Sequence, residues 1–406
     1  MKNIFKLWLA AVAVAVGAGV TSCSDDDFTA SIFDTNPAID YLDKSSYTFP
    51  LDTFCKKEFL EPYNLKFIYR FEDKGSDMNK NLTPPDYDKS VDLAVLTKYL
   101  WYDIYKTLAG EEFLKAYSPR IIHVCGSKNY NPSQGTETLG DASNGIKINL
   151  YNVNNLDPTN VDDMNHYFFK TMHHEFTHIL DQTYLHPTSF NTISNSQYDA
   201  SGWSDSPDSL KAGLGFTSSY ASSAKDEDWA ETMSNYVTMD TLKWVQLLNT
   251  ASYEWEEIDC DSYSDYTKLL RPGCNKDTIG YFKENDNGQH KIYRRKCARN
   301  ADGTVALDDE GKVVWLHETG VDGRATILRK VEIVREYLMK NYGISLDELR
   351  KEVQRRTYVT DEKGNFKTDV YGNLVNKLMT EQDGQTLMDR LRQEVYKFKE
   401  LQPSVK

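Results

Sequence analysis

The 406-residue sequence is short of positive charge: 47 Lys and Arg stand against 61 Asp and Glu, for a formal net charge of −14. A charge that negative argues against binding nucleic acid through its phosphates, and none is expected as a partner. Cysteine is scarce, six in all. No two stand in a CxxC, so no cysteine-built metal site is readable. Beyond the first 22 residues no apolar run is long enough to span a bilayer, and no clean internal repeat is visible. What remains is ample for a globular core, with 40% hydrophobic and 12% aromatic residues. The length suits one large domain or two ordinary ones.

The first 22 residues carry Lys2 and Lys6, an apolar run from Leu7 to Val20, then small residues before Cys23. This is the pattern of an export signal. Val20-Thr21-Ser22-Cys23 resembles a bacterial lipobox, which implies lipidation of Cys23 and a membrane-anchored mature chain. Ser24-Asp25-Asp26-Asp27 resembles the acidic export tag of Bacteroidota lipoproteins, which implies an outer-membrane location facing the cell exterior. Residues 23–45 then read as the lipidated N-terminus and a polar tether. Five cysteines remain, Cys55, Cys125, Cys260, Cys274 and Cys297. An oxidising exterior permits disulfides, and proximity makes Cys260 with Cys274 the pair expected to bridge.

Residues 46–402 read as the folded domain, and their pattern is α+β. Residues 63–71 (YNLKFIYRF) and 120–124 have strand composition, and residues 145–153 alternate apolar and polar side chains like a half-buried strand. The Asn- and Gly-rich stretch between the last two reads as a loop or long hairpin. Residues 89–114 carry apolar positions at helical spacing. Asp157-Pro158-Thr159-Asn160 offers helix-start chemistry for a helix whose apolar positions include Met164, Phe168, Met172, Phe176 and Leu180. Residues 187–223 read as irregular, and a second helix spans roughly 227–248. Residues 249–325 read as an insertion with a hairpin at 301–316. Residues 326–402 are mainly helical, with a second hairpin at 357–374 and a capping box at Ser345 and Glu348.

The chemistry concentrates in His174-Glu175-Phe176-Thr177-His178. Histidines four apart on a helix stack one turn above each other and can share an ion, and the intervening glutamate can reach that ion's water. His174 and His178 are therefore candidate metal ligands and Glu175 the candidate general base. The bland alternative is a helix with satisfied polar histidines. His166, His173 and His186 share no face with the pair and read as supporting or surface residues. A third histidine six residues after His178 is excluded, because Asp181 and Tyr184 occupy the positions where such a class has Gly and His. The third ligand must come from farther along, and a carboxylate on the second helix is the usual source.

Residues 226–232 (DEDWAET) contain Glu-x-x-Ala-Glu, which resembles the gluzincin clan of metallopeptidases. The resemblance implies that Glu227 binds the metal and that Glu231, one turn on, orients a metal histidine. Glu231 as the ligand is the rival assignment. Tyr220 stands seven residues before Glu227, where several gluzincins place a hydroxyl for the reaction's oxyanion; simple packing is its alternative role.

The lipobox, acidic tag, HExxH, GFTSSYA, EDWAE and the late Lys330, Val334, Tyr337, Leu338 pattern together resemble the substrate import-associated zinc metallohydrolase lipoproteins of Bacteroidota. That resemblance implies a zincin-like fold, in which a small mixed sheet packs on the HExxH helix. It implies one Zn2+ ion, a peptide or protein substrate, and association with a SusC/SusD-type nutrient importer. In a peptidase, residues 145–153 are a candidate for the edge strand that pairs with substrate backbone; the alternative is a strand that simply pairs within the sheet. Two other readings stand beside this one: a non-catalytic binding lipoprotein, and a zinc hydrolase of another amide or ester.

Overall fold

The β-branched and aromatic segments pair as the sequence suggests, in a four-stranded mixed sheet. The computed structural model describes residues 42–70, 82–131, 136–143, 146–260, 279–284 and 290–403. Its strands are β1 (Lys66–Ile68), β2 (Ile121–Val124), β3 (Gly140–Ser143) and β4 (Lys147–Leu150). They lie in the order β1-β2-β4-β3. The first two pairings are parallel, with Ile122 opposite Phe67 and Ile148, and β3 closes the sheet antiparallel to β4.

This order corrects one expectation. The alternating segment around β4 is interior, and among the described residues β3 holds the edge next to it. β3 went unread because Gly-Asp-Ala-Ser has none of the β-branched or aromatic residues that mark a strand. Gly140 in β3 approaches the motif helix so closely that a Cβ there would stand 2.3 Å from Thr171 Cγ2. Only glycine fits that approach.

The 89–114 periodicity appears as α1 (Tyr87–Thr97) and α2 (Asp103–Ala109), joined by a π-helical turn. Gly110 ends the run at φ +85°, so residues 111–117 form a separate helix. Asn160 caps the next helical turn by accepting from Asp163 N at 3.1 Å. A π-helical turn over Asn165–Phe169 then leads into the motif helix α3 (Lys170–Thr183). Phe176, on its apolar face, meets Trp101, Tyr105 and Phe113 edge-on at 4.9, 5.0 and 6.0 Å. Those aromatic contacts anchor α3 between the sheet and the α1–α2 layer.

The expected second helix divides into α4 (Lys225–Thr238) and α5 (Thr241–Ala251), because Asp240 starts a new helix by accepting from Lys243 N at 2.8 Å. Two further helices follow, α6 (Gly323–Tyr342) and α7 (Leu346–Thr357), the latter capped by Ser345 as expected. None of the described helices is long and apolar enough to cross a membrane. The α+β, zincin-like architecture is the one anticipated from sequence.

A repeat does emerge in three dimensions. In residues 297–315 the backbone N–H groups of Ala298, Ala306 and Val314 bond the carbonyls of Val314, Ala298 and Ala306 in a closed triangle. Val359, Lys367 and Val375 close the same triangle in residues 358–376. Each module turns at Asn/Asp-x-x-Gly, with Gly303, Gly311, Gly364 and Gly372 all at φ between +77° and +87°. The match escaped sequence reading because little beyond the turn residues is shared.

Residues 50–401 constitute one unit. Residues 42–49 and 402–403 belong to another, in which Gln402 Nε2 donates to the carbonyls of Lys44 and Ser46 at 3.0 and 2.8 Å. Cys55, Cys125 and Cys297 are buried thiols. The leader, Cys23, the acidic tag and Cys274 lie outside the described residues, as does the side chain of Cys260.

Candidate metal centre

His174 and His178 meet because 3.6 residues per turn brings i and i+4 to one face. Their Nε2 atoms are 3.2 Å apart. Glu227, in the first turn of α4, reaches across so that its Oε2 lies 3.0 Å from His174 Nε2 and 3.5 Å from His178 Nε2. Ligand atoms bound to tetrahedral zinc at ~2.0–2.1 Å stand roughly 3.3 Å from one another, and imidazole nitrogen with carboxylate oxygen is a donor set zinc accepts. The three side chains thus fit one zinc ion. Among the described residues no other group of His, Cys, Asp or Glu converges in this way.

The electrostatics favour positive charge at this point. Burial alone would lower the His174 pKa, but bonding to Glu227 and Glu231 and the nearby Glu175 charge raise it to about 9. Burial would raise the Glu227 carboxyl, yet bonds from His174 and His178 hold it well below the usual carboxylate range. Carboxylates gathered around two imidazoles favour a cation there, whether proton or metal.

Behind the ring, Glu231 Oε1 lies 2.8 Å from His174 Nδ1 and also pairs with Lys170. Its other oxygen accepts from Ser218 Oγ at 2.5 Å and Asn235 Nδ2 at 3.1 Å. Glu227 and Glu231 therefore address opposite nitrogens of one imidazole. The Glu231 carboxyl is fully buried, which alone would favour its neutral form, but Lys170 and His174 hold it ionised. Such a partner fixes the tautomer and orientation of a metal-binding histidine.

Glu175 is buried on α3, and its charge contributes to the shifts of both His174 and Tyr220. Tyr220 stands with its ring 5.9 Å from that of His174 and 4.9 Å from that of Trp203. Burial, then the Glu227 charge and a hydrogen bond to Glu227, push its pKa above the ordinary tyrosine value. The hydroxyl keeps its proton at neutral pH and can donate. The other histidines stay outside this cluster. His173 is fully buried, 3.0 Å from the Tyr105 hydroxyl, and burial lowers its pKa to about 3. It is a core residue rather than a supporting or surface one. His186 bonds Asp181 through Nδ1 at 2.9 Å and Asn191 through Nε2 at 2.7 Å.

The structure adds residues that sequence reasoning missed: Lys170, Ser218 and Asn235 around Glu231, and Trp203 against Tyr220. Lys170 carried a usable signal, since it stands four residues before His174 and so shares its face. Ser218 lies in irregular chain and Trp203 opens a single 3-10 turn, too short for any periodicity to point to it.

A family model described as "putative zinc-binding metallo-peptidase" matches residues 44–347. Among solved structures, a protein of the same description from Bacteroides caccae is 30% identical, with a TM-score of 0.52, over 76% of this chain and 91% of that one. No curated protein matches the sequence. A match across most of the chain and a similar fold converge on one conclusion: the chain belongs to the zinc-binding metallo-peptidase family so described.

Proposed function

We propose that the chain is a surface-displayed zinc peptidase of gluzincin type, in which His174, His178 and Glu227 hold one zinc ion and Glu175 is the general base. The observation that carries the reading is the convergence of those three donor atoms at 3.0–3.5 Å. Zinc, when bound, supplies Lewis acidity toward a peptide carbonyl and lowers the pKa of a water in the site. Glu175 accepts the proton that water loses as its oxygen bonds to the carbonyl carbon. As the C–N bond breaks, Glu175 returns the proton to the leaving nitrogen. The Tyr220 hydroxyl donates to the carbonyl oxygen while it carries negative charge. Glu231 keeps His174 oriented throughout.

The lipobox at Cys23 and the acidic residues after it support an anchor in the outer membrane with the domain facing outward. Their combination with the zinc motifs supports work beside a SusC/SusD-type importer, with extracellular peptide as substrate. A glutamate at position 175, within the charge field of both His174 and Tyr220, favours turnover over mere capture of peptide.

The test is digestion of a broad peptide library by purified protein with and without a chelator, beside Glu175→Gln. Chelation is expected to abolish cleavage, and Glu175→Gln to keep stoichiometric zinc while losing turnover. Full activity in that variant overturns the mechanism. Cleavage of esters or non-peptide amides alone would move the reading to a different hydrolase.

A further inference from the structure

The helix that presents Glu227 begins without a capping side chain. Ala224 is the N-cap of α4 and has no side-chain acceptor to offer the first turn. Uncapped first turns leave backbone N–H groups unsatisfied and fray, yet a metal ligand must hold its place to within a fraction of an ångström. Something other than local sequence must fix residues 225–228.

Trp229 packs edge-on against Phe190 and Tyr337 at 5.0 and 4.9 Å, and beside it a buried ion pair adds a polar fastening. Asp228, next to Glu227, bonds Lys330 of α6 at 2.7 Å, and both side chains are 0% exposed. Asp228 also accepts from the Tyr198 hydroxyl at 3.0 Å. Lys330 Nζ donates to the Gly215 carbonyl at 2.8 Å and sits 4.2 Å over the Phe216 ring. Gly215, at φ +90°, lies so close to α6 that a Cβ would stand 2.2 Å from Thr326 Cγ2. From there the chain is stitched onto α4: Thr217 accepts from Asn235 at 3.2 Å and Ser218 donates to Glu231 at 2.5 Å, just before Tyr220. One ammonium therefore binds the turn carrying Glu227 and the segment carrying Tyr220 to a third helix.

We propose that Lys330 is a positioning residue for the metal site, acting through Asp228 on Glu227 and through Gly215 on Tyr220. Stability alone is a weak reason for such a pair. A well-packed apolar pair of similar volume is often as stable as a buried ion pair, whereas the ion pair fixes geometry. This inference rests on the ligand set proposed above, so its test is built to separate the two.

The double variant Lys330→Met/Asp228→Leu in the full chain removes both charges together and keeps volume. Zn2+ affinity is measured by competition with a chromophoric chelator, and the visible spectrum of the Co2+-loaded protein reports ligand geometry. The double variant is expected to melt near the wild type, to bind Zn2+ about 10–100-fold more weakly, and to show an altered Co2+ spectrum. Wild-type affinity and spectrum in a folded double variant overturn the inference. If that variant does not fold, Tyr198→Phe decides, because it deletes only the hydroxyl on Asp228. Zn2+ binding weakened about twofold or more supports the proposal, and unchanged binding overturns it. Failure of the ligand set itself looks different: wild type would bind no Zn2+, or Glu227→Gln would bind it as tightly as wild type.

Discussion

The two helices that build the metal centre are equally long and owe their precision to different sources. α3 brings His174, Glu175 and His178 on consecutive turns, and its opposite face is locked by Phe176 among Trp101, Tyr105 and Phe113. Its site geometry is the helical repeat itself. α4 contributes Glu227 from an uncapped first turn, and ionic and hydrogen-bond contacts from distant chain hold it there. A pair of candidate ligands can be written locally, whereas the proposed third depends on elements more than a hundred residues away, such as Lys330. Packing secures both helices, as Trp229 of α4 against Phe190 and Tyr337 shows, and α4 adds buried polar contacts at the turn that carries Glu227.

The largest effects should divide the helices by chemistry. On α3, Glu175→Gln is expected to cut kcat by about 10²–10⁴-fold with zinc retained. On α4, Glu227→Gln should lose zinc along with turnover. Metal content measured beside kcat distinguishes them, and equal zinc loss in both would erase the distinction. Next in size, Asp228→Ala strands the buried Lys330 ammonium and should cost about 3–5 kcal/mol in urea unfolding. A cost no larger than that of an ordinary surface substitution would mean that α4 is not held ionically.

Glu231→Gln should weaken zinc binding about 10–100-fold by loosening His174. Chelator competition reads it directly. The smallest effect concerns the end of α3. His186 faces the Asp181 carboxylate through Nδ1 and the Asn191 amide oxygen through Nε2, two acceptors that a neutral ring cannot both satisfy. Burial lowers its pKa, but the bonds to Asp181 and Asn191 and the charges of Asp181 and Asp226 together outweigh this, and the net direction is upward. A raised pKa means that the contribution, on the order of 1 kcal/mol, is full below about pH 6.5 and fades as pH rises through the folded value. The Tm gap between wild type and His186→Gln should therefore narrow from acid to alkaline pH. A gap independent of pH would leave packing, not charge, as the role of His186.

Legibility followed the range of the interaction. β1, β2 and β4 were readable because β-branched and aromatic residues mark strands, while β3 was hidden by its small polar residues and is a strand only because β4 pairs with it. Residues 227–248 read as one helix because apolar periodicity continues through them; the break at Asp240 depends on a single side-chain cap. Spacing alone does not separate Glu227 from Glu231 as the metal-facing acid, since one turn apart they share a face, and only the gluzincin resemblance ranked Glu227 first. Their opposite engagement with the two nitrogens of His174 depends on where α3 crosses α4.

The sequence by itself determined the chemistry: two histidines and a glutamate at helical spacing, an acidic turn to complete a donor set, and strands enough to seat the motif helix. These features are local, and helical geometry converts spacing directly into position. Tertiary structure alone decided which acid faces the two Nε2 atoms, what fastens its turn, and why a lysine lies fully buried far along the chain. Packing brings Lys330 to Asp228 and Lys170 to Glu231, where burial makes an unpaired polar group costly, and no spacing along the chain encodes which distant residue will fill each role.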